Sequence, residues 1–212
     1  MGVDVHVAVG ASETVGIGAA EPSTQSWPRV LHDSIIPDSR YVNVGVSGAT
    51  VADAVRQQLP RAVAANPDVV TVWLAVNDLI AGVPVESYAE DLERLLRALR
   101  RDGATVLVGN VPRLWQVPVF ADCVSTRPAD RNRCVLPDAP SLASVKAAVA
   151  EYNAAVARVA RATGAEVVDL RGVAVTRDLI SFDGFHPSTE GHRRVAAAFG
   201  KVLLQGASAA TG

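Results

Sequence analysis

The stretch VHVAVGASETVGIGA, Val5–Ala19, joins two signals that decide the fold. Its first half, Val5 to Val9, is an almost unbroken apolar run, as a strand buried on both faces requires. The run passes directly into a turn where four small residues, Gly10, Ala11, Gly16 and Gly18, surround Ser12 and Thr14. A glycine-rich turn at the end of a first strand either cradles a phosphate or holds a hydroxyl where a substrate can reach it. The local residues leave both uses open.

Working outward, runs of the same kind recur at Tyr41–Val44, Val69–Ala75, Thr105–Gly109 and Glu166–Leu170, and they read as four more strands. Helical periodicity fills the intervals at Val51–Ala65, Ser87–Arg101 and Ser141–Thr163, with a last helix from about Ser188 to Leu204. In the second of these helices Tyr88, Leu92, Leu95, Leu96 and Leu99 share one face, Ser87 and Glu90 have capping-box spacing, and Gly103 follows the last turn. Alternating strands and helices predict one α/β domain over residues 1–204, with a five-stranded parallel sheet wound as in flavodoxin. The small residues from Gln205 to Gly212 are expected to fray.

A chain of 212 residues with a net charge of -2 and scattered arginines lacks the basic face that nucleic acid demands. No apolar run is long enough to span a bilayer, and no signal-peptide pattern follows Met1. The chain is therefore expected to be soluble: cytoplasmic if complete as given, secreted if an export signal has been removed. Cys123 and Cys134 are too far apart for a redox CxxC and too few for zinc. They are either free thiols of a reducing compartment or a disulfide, which would stabilise the segment by roughly 2–3 kcal/mol and place the chain in an oxidising one. Oligomeric state is not legible in these features.

The segment Val111–Pro140 reads as one long loop, rich in Pro, Arg and Asp. Following the fourth strand, it should lie over the carboxyl edge of the sheet, either as a lid or pocket wall or as a stabilising surface insertion. Leu114, Trp115 and Phe120 near its start are candidates for an apolar acyl-binding surface, with core packing as the alternative.

The predicted topology turns every loop at the carboxyl end of a strand toward one crevice. Ser12 follows the first strand, Gly48 in NVGVSGAT the second, and Asn77 and Asp78 in LAVNDL the third. A hydroxyl, a turn N–H and a side-chain amide are the parts of an acyl-transfer site, an attacker with oxyanion donors. The missing base is found in SFDGFHPS, where Asp183 stands three residues before His186 and can fix its tautomer. His192, on the last helix beside Arg193 and Arg194, reads as a solvated helix residue. His6 and His32, on a strand and a surface helix, read as structural. A metal site built on His186 and His192 lacks both helical spacing and a third ligand.

These residues resemble the SGNH (GDSL-type) hydrolase family, whose four blocks occur in order as GAS with Ser12, NVGVSGAT with Gly48, VND with Asn77, and DGFH with Asp183 and His186. The resemblance spans Val9 to His186, and GxSxG, the mark of a different hydrolase fold, is absent. It implies a three-layer α/β/α sandwich with Ser12 as nucleophile, His186 as base and then acid, and Asp183 orienting it. It also implies an oxyanion hole from the Ser12 and Gly48 N–H groups and the Asn77 amide, with no metal or organic cofactor and a small-molecule ester as substrate, of short to medium acyl length or a carbohydrate O-acetyl ester or thioester. Two positions depart from the family pattern: Ala11 stands where GDS has aspartate, and Ala75 where GxND has glycine. Neither removes a member of the triad or the oxyanion hole. The competing readings are a binding protein that keeps this fold without catalysis, and a nucleotide or flavin binder that uses the Gly10–Gly18 loop without the P-loop lysine or GxGxxG spacing.

Overall fold

In the computed structural model, which describes residues 2–100, 103–134 and 140–209, the five apolar runs form one parallel sheet. The strands are β1 (Val5–Gly10), β2 (Arg40–Asn43), β3 (Val69–Trp73), β4 (Thr105–Gly109) and β5 (Glu166–Val168), in the order β2-β1-β3-β4-β5. Val7 lies opposite Val42 on one side and Val70 on the other. This is the flavodoxin-like order, whose change of winding direction opens a crevice outside the carboxyl ends of β1 and β3.

Helices α1 (Ser12–Val15), α2 (Pro22–Gln25) and α3 (Trp27–Ile35) follow β1, and α4 (Val51–Asp53) and α5 (Leu59–Ala64) follow β2. After β3 come α6 (Val76–Ile80) and α7 (Val85–Leu99), and after β4 come α8 (Pro118–Val124), α9 (Pro128–Arg131) and α10 (Leu142–Thr163). The long helix α11 (Thr189–Ala209) follows β5. Strand side chains alternate between faces, so each strand feeds two cores. Val7, Val9, Val70, Val72, Val106 and Val108 pack under α7 and α10, whereas Trp73 and Leu107 pack under α3 and α11. In the second core Trp27 stacks on Phe199 at 4.2 Å and meets the edge of Trp73 at 6.2 Å. The result is a three-layer α/β/α sandwich.

Several boundaries differ from the sequence reading for local reasons. β3 stops at Trp73 because Ala75 turns the chain with φ +128°. β5 stops at Val168 because the Asp169 side chain accepts the Arg171 N–H and starts a 3-10 turn. Between α4 and α5 the chain takes a π-helical turn, Ala54–Gln58, ahead of Pro60, whose missing N–H cannot extend the regular ladder. α7 starts at Val85 after Pro84, two residues before the expected Ser87. Its expected end at Arg101 lies outside the described residues. α10 starts at Leu142, one residue after the expected Ser141, which caps it by accepting the Ser144 N–H at 3.0 Å. α11 continues to Ala209, so Gln205 onward is helical where fraying was expected, and residues 210–212 lie outside the described residues.

Val111–Pro140 is not the irregular loop its composition suggests. Leu114–Gln116 forms a 3-10 turn, and Pro118 and Pro128 open α8 and α9 at the helix position where a missing N–H costs nothing. Cys123 and Cys134 are joined as a disulfide, with their Cα atoms 4.5 Å apart, and Arg133 bridges Asp122 and Asp130 across the same segment. Residues 135–139 of the expected lid lie outside the described residues. Among the described residues no helix is long and apolar enough to cross a membrane.

Candidate active site

The turn after β1 is held from behind. Gln58, fully buried in the π-helical turn, accepts the Gly10 N–H through Oε1 and donates from Nε2 to the Gly10 carbonyl, both at 2.9 Å. Ala11, in the place of the family's aspartate, is part of the apolar core. Ser12 opens α1, is 5% exposed, and its Oγ donates to Glu13 Oε2 at 3.4 Å.

The Gly48 turn is tied to this one by the Val46 N–H, which donates to the Gly10 carbonyl at 3.1 Å. Gly48 takes φ +77°, a left-handed conformation suited to glycine, in an exposed turn closed by the Ala49 N–H on the Val46 carbonyl. Asn77 Nδ2 donates to the Ala49 carbonyl at 3.0 Å, so the third block is fastened to the second. Beside it the Asp78 carboxylate, 1% exposed, accepts the Val51 N–H at the start of α4, and burial pushes its pKa up to about 6. Within the described residues the N–H groups of Ser12 and Gly48 make no hydrogen bond, which leaves both backbone donors uncommitted.

Ala75 carries a cost. A φ of +128° with ψ -33° is a region that side chains avoid, and it occurs at the residue that starts α6 and aims Asn77. Relief of about 2–3 kcal/mol of strain outweighs the lost methyl burial and the added freedom of the unfolded chain. Ala75→Gly is therefore expected to stabilise the fold by about 1 kcal/mol, seen as a higher denaturant midpoint at unchanged slope. A lower midpoint would mean that the methyl contributes more than the strain costs.

At the other side of the crevice, Asp183 and His186 occupy the loop between β5 and α11. His186 Nδ1 lies 2.6 Å from Asp183 Oδ2, while Asp183 Oδ1 accepts from Ser181 Oγ and from the N–H groups of Phe185 and His186. Partial burial alone would raise the Asp183 pKa, but these four donors hold it at about 2, so the carboxylate is charged throughout the physiological range. The loop is pinned by the Ser181 N–H on the His186 carbonyl and by the Val119 N–H on the Gly184 carbonyl.

Gly18 brings the two halves of the site together. A Cβ there would stand 2.2 Å from the Pro187 carbonyl oxygen and 2.9 Å from His186 Cβ, so the segment after Ser12 touches the histidine loop directly. The structure thus unites Asp183 with His186, and Asn77 with the Gly48 turn. The Ser12 hydroxyl is hydrogen-bonded to Glu13 and not to His186.

Glu13 was not singled out from sequence, although a charged residue inside an apolar glycine-rich turn was a visible signal. It is 8% exposed, and burial pushes its carboxyl up, against the pull of its own N–H, of His186 and of the Ser12 hydroxyl. With Trp73, Val76, Leu114, Val117 and Phe185 it lines an apolar cavity. Of the three residues proposed for substrate contact, only Leu114 faces this space. Trp115 lies under the Lys146 ammonium, 5.4 Å from its ring centre, and Phe120 is buried behind Phe185.

Two histidine readings need correction. His192 is fully buried, not solvated: its Nδ1 accepts the Trp27 N–H at 3.2 Å and its Nε2–H donates to the Ile17 carbonyl at 3.1 Å. It staples the segment after the Ser12 turn to α11, and sequence spacing could not reveal partners 165 and 175 residues away. His32 is buried too, because its face of α3 packs inward against His6 and Tyr41 at 5.9 and 5.1 Å.

Burial holds the His192 pKa down at about 4 from its ordinary 6.5. The unfolded chain therefore takes up a proton first as pH falls. The stability tied to neutral His192 is complete above pH 6.5 and is lost as pH falls toward 4, by about 3 kcal/mol. The unfolding free-energy gap between the wild type and His192→Gln should shrink by roughly that amount from about pH 7 to about pH 4. A gap independent of pH would mean that His192 binds its proton equally well in the folded and unfolded chain.

A family model of GDSL-like lipases and acylhydrolases matches residues 8–194. The chain belongs to this family. The family is one of lipases and acylhydrolases, enzymes that act on esters, and solved structures share the fold. The esterase EstA from Pseudoalteromonas, in a structure inhibited by monoethylphosphonate, is 16% identical with a TM-score of 0.69, covering 97% of this chain and 99% of that one. A family 3 carbohydrate esterase from Clostridium thermocellum is 21% identical with a TM-score of 0.67, covering 99% of each chain. An arylesterase from Vibrio mimicus is 26% identical over 100 residues, 45% of this chain and half the length of that protein. For the GDSL-type chain, no group of three or more His, Cys, Asp or Glu side chains among the described residues is placed to hold a metal.

Proposed function

We propose that this GDSL-type chain is a serine esterase that cleaves small esters with short to medium acyl chains through an acyl-enzyme. The supporting observation is the Asp183–His186 pair at 2.6 Å, packed through Gly18 against the segment that follows Ser12. In this reading the Ser12 hydroxyl rotates from Glu13 to His186 Nε2, gives up its proton and attacks the ester carbonyl. The Ser12 and Gly48 N–H groups and the Asn77 amide receive the oxyanion, and His186 then protonates the leaving alcohol. Water, activated by the same histidine, releases the acid. The cavity lined by Leu114, Val117 and Val76 takes the acyl chain.

The test is covalent. A p-nitrophenyl phosphonate should label the protein once, at Ser12 by mass spectrometry, and p-nitrophenyl acetate, butanoate and octanoate should rank the acyl preference. Failure to label, together with no turnover of any ester, would overturn the reading in favour of a binding protein on this fold. Asn77→Ala removes one oxyanion donor and should raise the barrier by about 3 kcal/mol, roughly a hundredfold in kcat. Full activity in that variant would remove Asn77 from the oxyanion hole.

A further inference from the structure

Glu13 is an anomaly in the site just described. The cavity beside the nucleophile is otherwise built of Trp73, Val76, Leu114, Val117, Leu170 and Phe185, yet a carboxyl more than nine-tenths buried stands in its wall. Among the described residues it has no ion-pair partner, and its side chain meets two donors, its own N–H and the Ser12 hydroxyl at 3.4 Å.

The reaction removes the second donor. Once Ser12 passes its proton to His186 and Oγ bonds to the acyl carbon, the oxygen has no hydrogen left to donate. At the same moment the acyl chain enters the cavity beside Glu13. Against a plain alkyl chain the buried carboxyl loses one of its two donors and keeps only its own N–H, and a buried polar group that loses a partner carries that cost undiluted by water. An acyl group with its own hydroxyl or ammonium replaces the lost donor. Since Glu13 Oε2 lies only 3.4 Å from the oxygen that bonds to the acyl carbon, a group on the second or third acyl carbon is within reach.

Resting on the serine-esterase reading, we propose that Glu13 selects acyl groups bearing a hydrogen-bond donor next to the carbonyl, hydroxyacyl or aminoacyl esters, over plain alkanoyl esters. A site built to pair a polar group rejects the analogue that lacks it far more strongly than an apolar pocket rejects an added group.

The test compares kcat/KM for the p-nitrophenyl esters of butanoate, β-hydroxybutanoate and β-aminopropanoate in the wild type, Glu13→Gln and Glu13→Leu. The wild type should prefer at least one donor-bearing ester to butanoate by about tenfold or more, and Glu13→Leu should abolish or invert that preference. Glu13→Gln should keep a preference for the hydroxyl and lose any for the ammonium, which separates the two donors and still decides the matter if the leucine variant does not fold. Equal changes for all three esters would show that Glu13 acts on His186 or on folding alone, and would overturn the proposal, as would a wild type that favours butanoate. Phosphonate labelling of the wild type separates the failures: a labelled Ser12 without donor preference defeats only the role of Glu13, whereas an unlabelled Ser12 defeats the esterase reading with it.

Discussion

Replacing Ser12 by alanine is expected to lower kcat for p-nitrophenyl butanoate by a factor on the order of 10⁴ or more, to the level set by the oxyanion donors and binding alone. Two nearby hydroxyls are otherwise engaged or enclosed: Ser181 Oγ donates to Asp183 Oδ1, and Thr14 is fully buried. The substitution is also structurally mild. It deletes one oxygen whose hydrogen bond to Glu13 is long at 3.4 Å, so thermal unfolding should move little while activity disappears. Retained turnover in a folded Ser12→Ala protein would place the nucleophile elsewhere and end the proposed mechanism.

Asp183→Asn should be nearly as damaging, on the order of 10⁴-fold in kcat with little change in KM. The reason lies in the two faces of the carboxylate. Asparagine can keep its oxygen toward Ser181 Oγ and the N–H groups of Phe185 and His186, so the loop holds its shape. Its amide then presents N–H where Oδ2 met His186 Nδ1 at 2.6 Å. That forces Nδ1 to accept, moves the ring proton to Nε2, and leaves no lone pair to receive the proton of Ser12. A loss under tenfold would show that His186 finds its tautomer without Asp183, and the pair would then be a loop brace rather than the base and its orienting group.

Much of this molecule was legible in one dimension. The five mostly apolar runs became five parallel strands because a strand covered on both faces favours apolar residues at nearly every position, His6 and Thr71 being buried only as a hydrogen-bonded pair, and that pattern survives without knowledge of its neighbours. Ser12, Gly48, Asn77, Asp183 and His186 stood out because each lies in a short local motif whose chemistry depends on spacing of a few residues. Elements failed where a residue has two meanings: Pro118 and Pro128 read as loop formers but open helices, and Gln205 to Ala209 read as part of a tail but continue α11.

What only the tertiary structure decided are contacts between residues far apart in the chain. Gln58 clamps Gly10 across 48 residues, and His192 joins Trp27 and Ile17 across 165 and 175. Glutamine and histidine on helices are ordinary surface residues until packing removes water and leaves each polar atom a single partner. The same holds for the burial of Glu13, where sequence shows a charge beside a serine and the fold alone shows it facing an apolar cavity. The sequence by itself therefore determined the sheet and singled out the candidate reacting groups, because periodicity and short motifs are local. The three-dimensional packing determined how those groups are braced, that the Ser12 hydroxyl rests on Glu13, and that Glu13 lines an apolar cavity, because desolvation is a property of neighbours that the chain brings together only when folded.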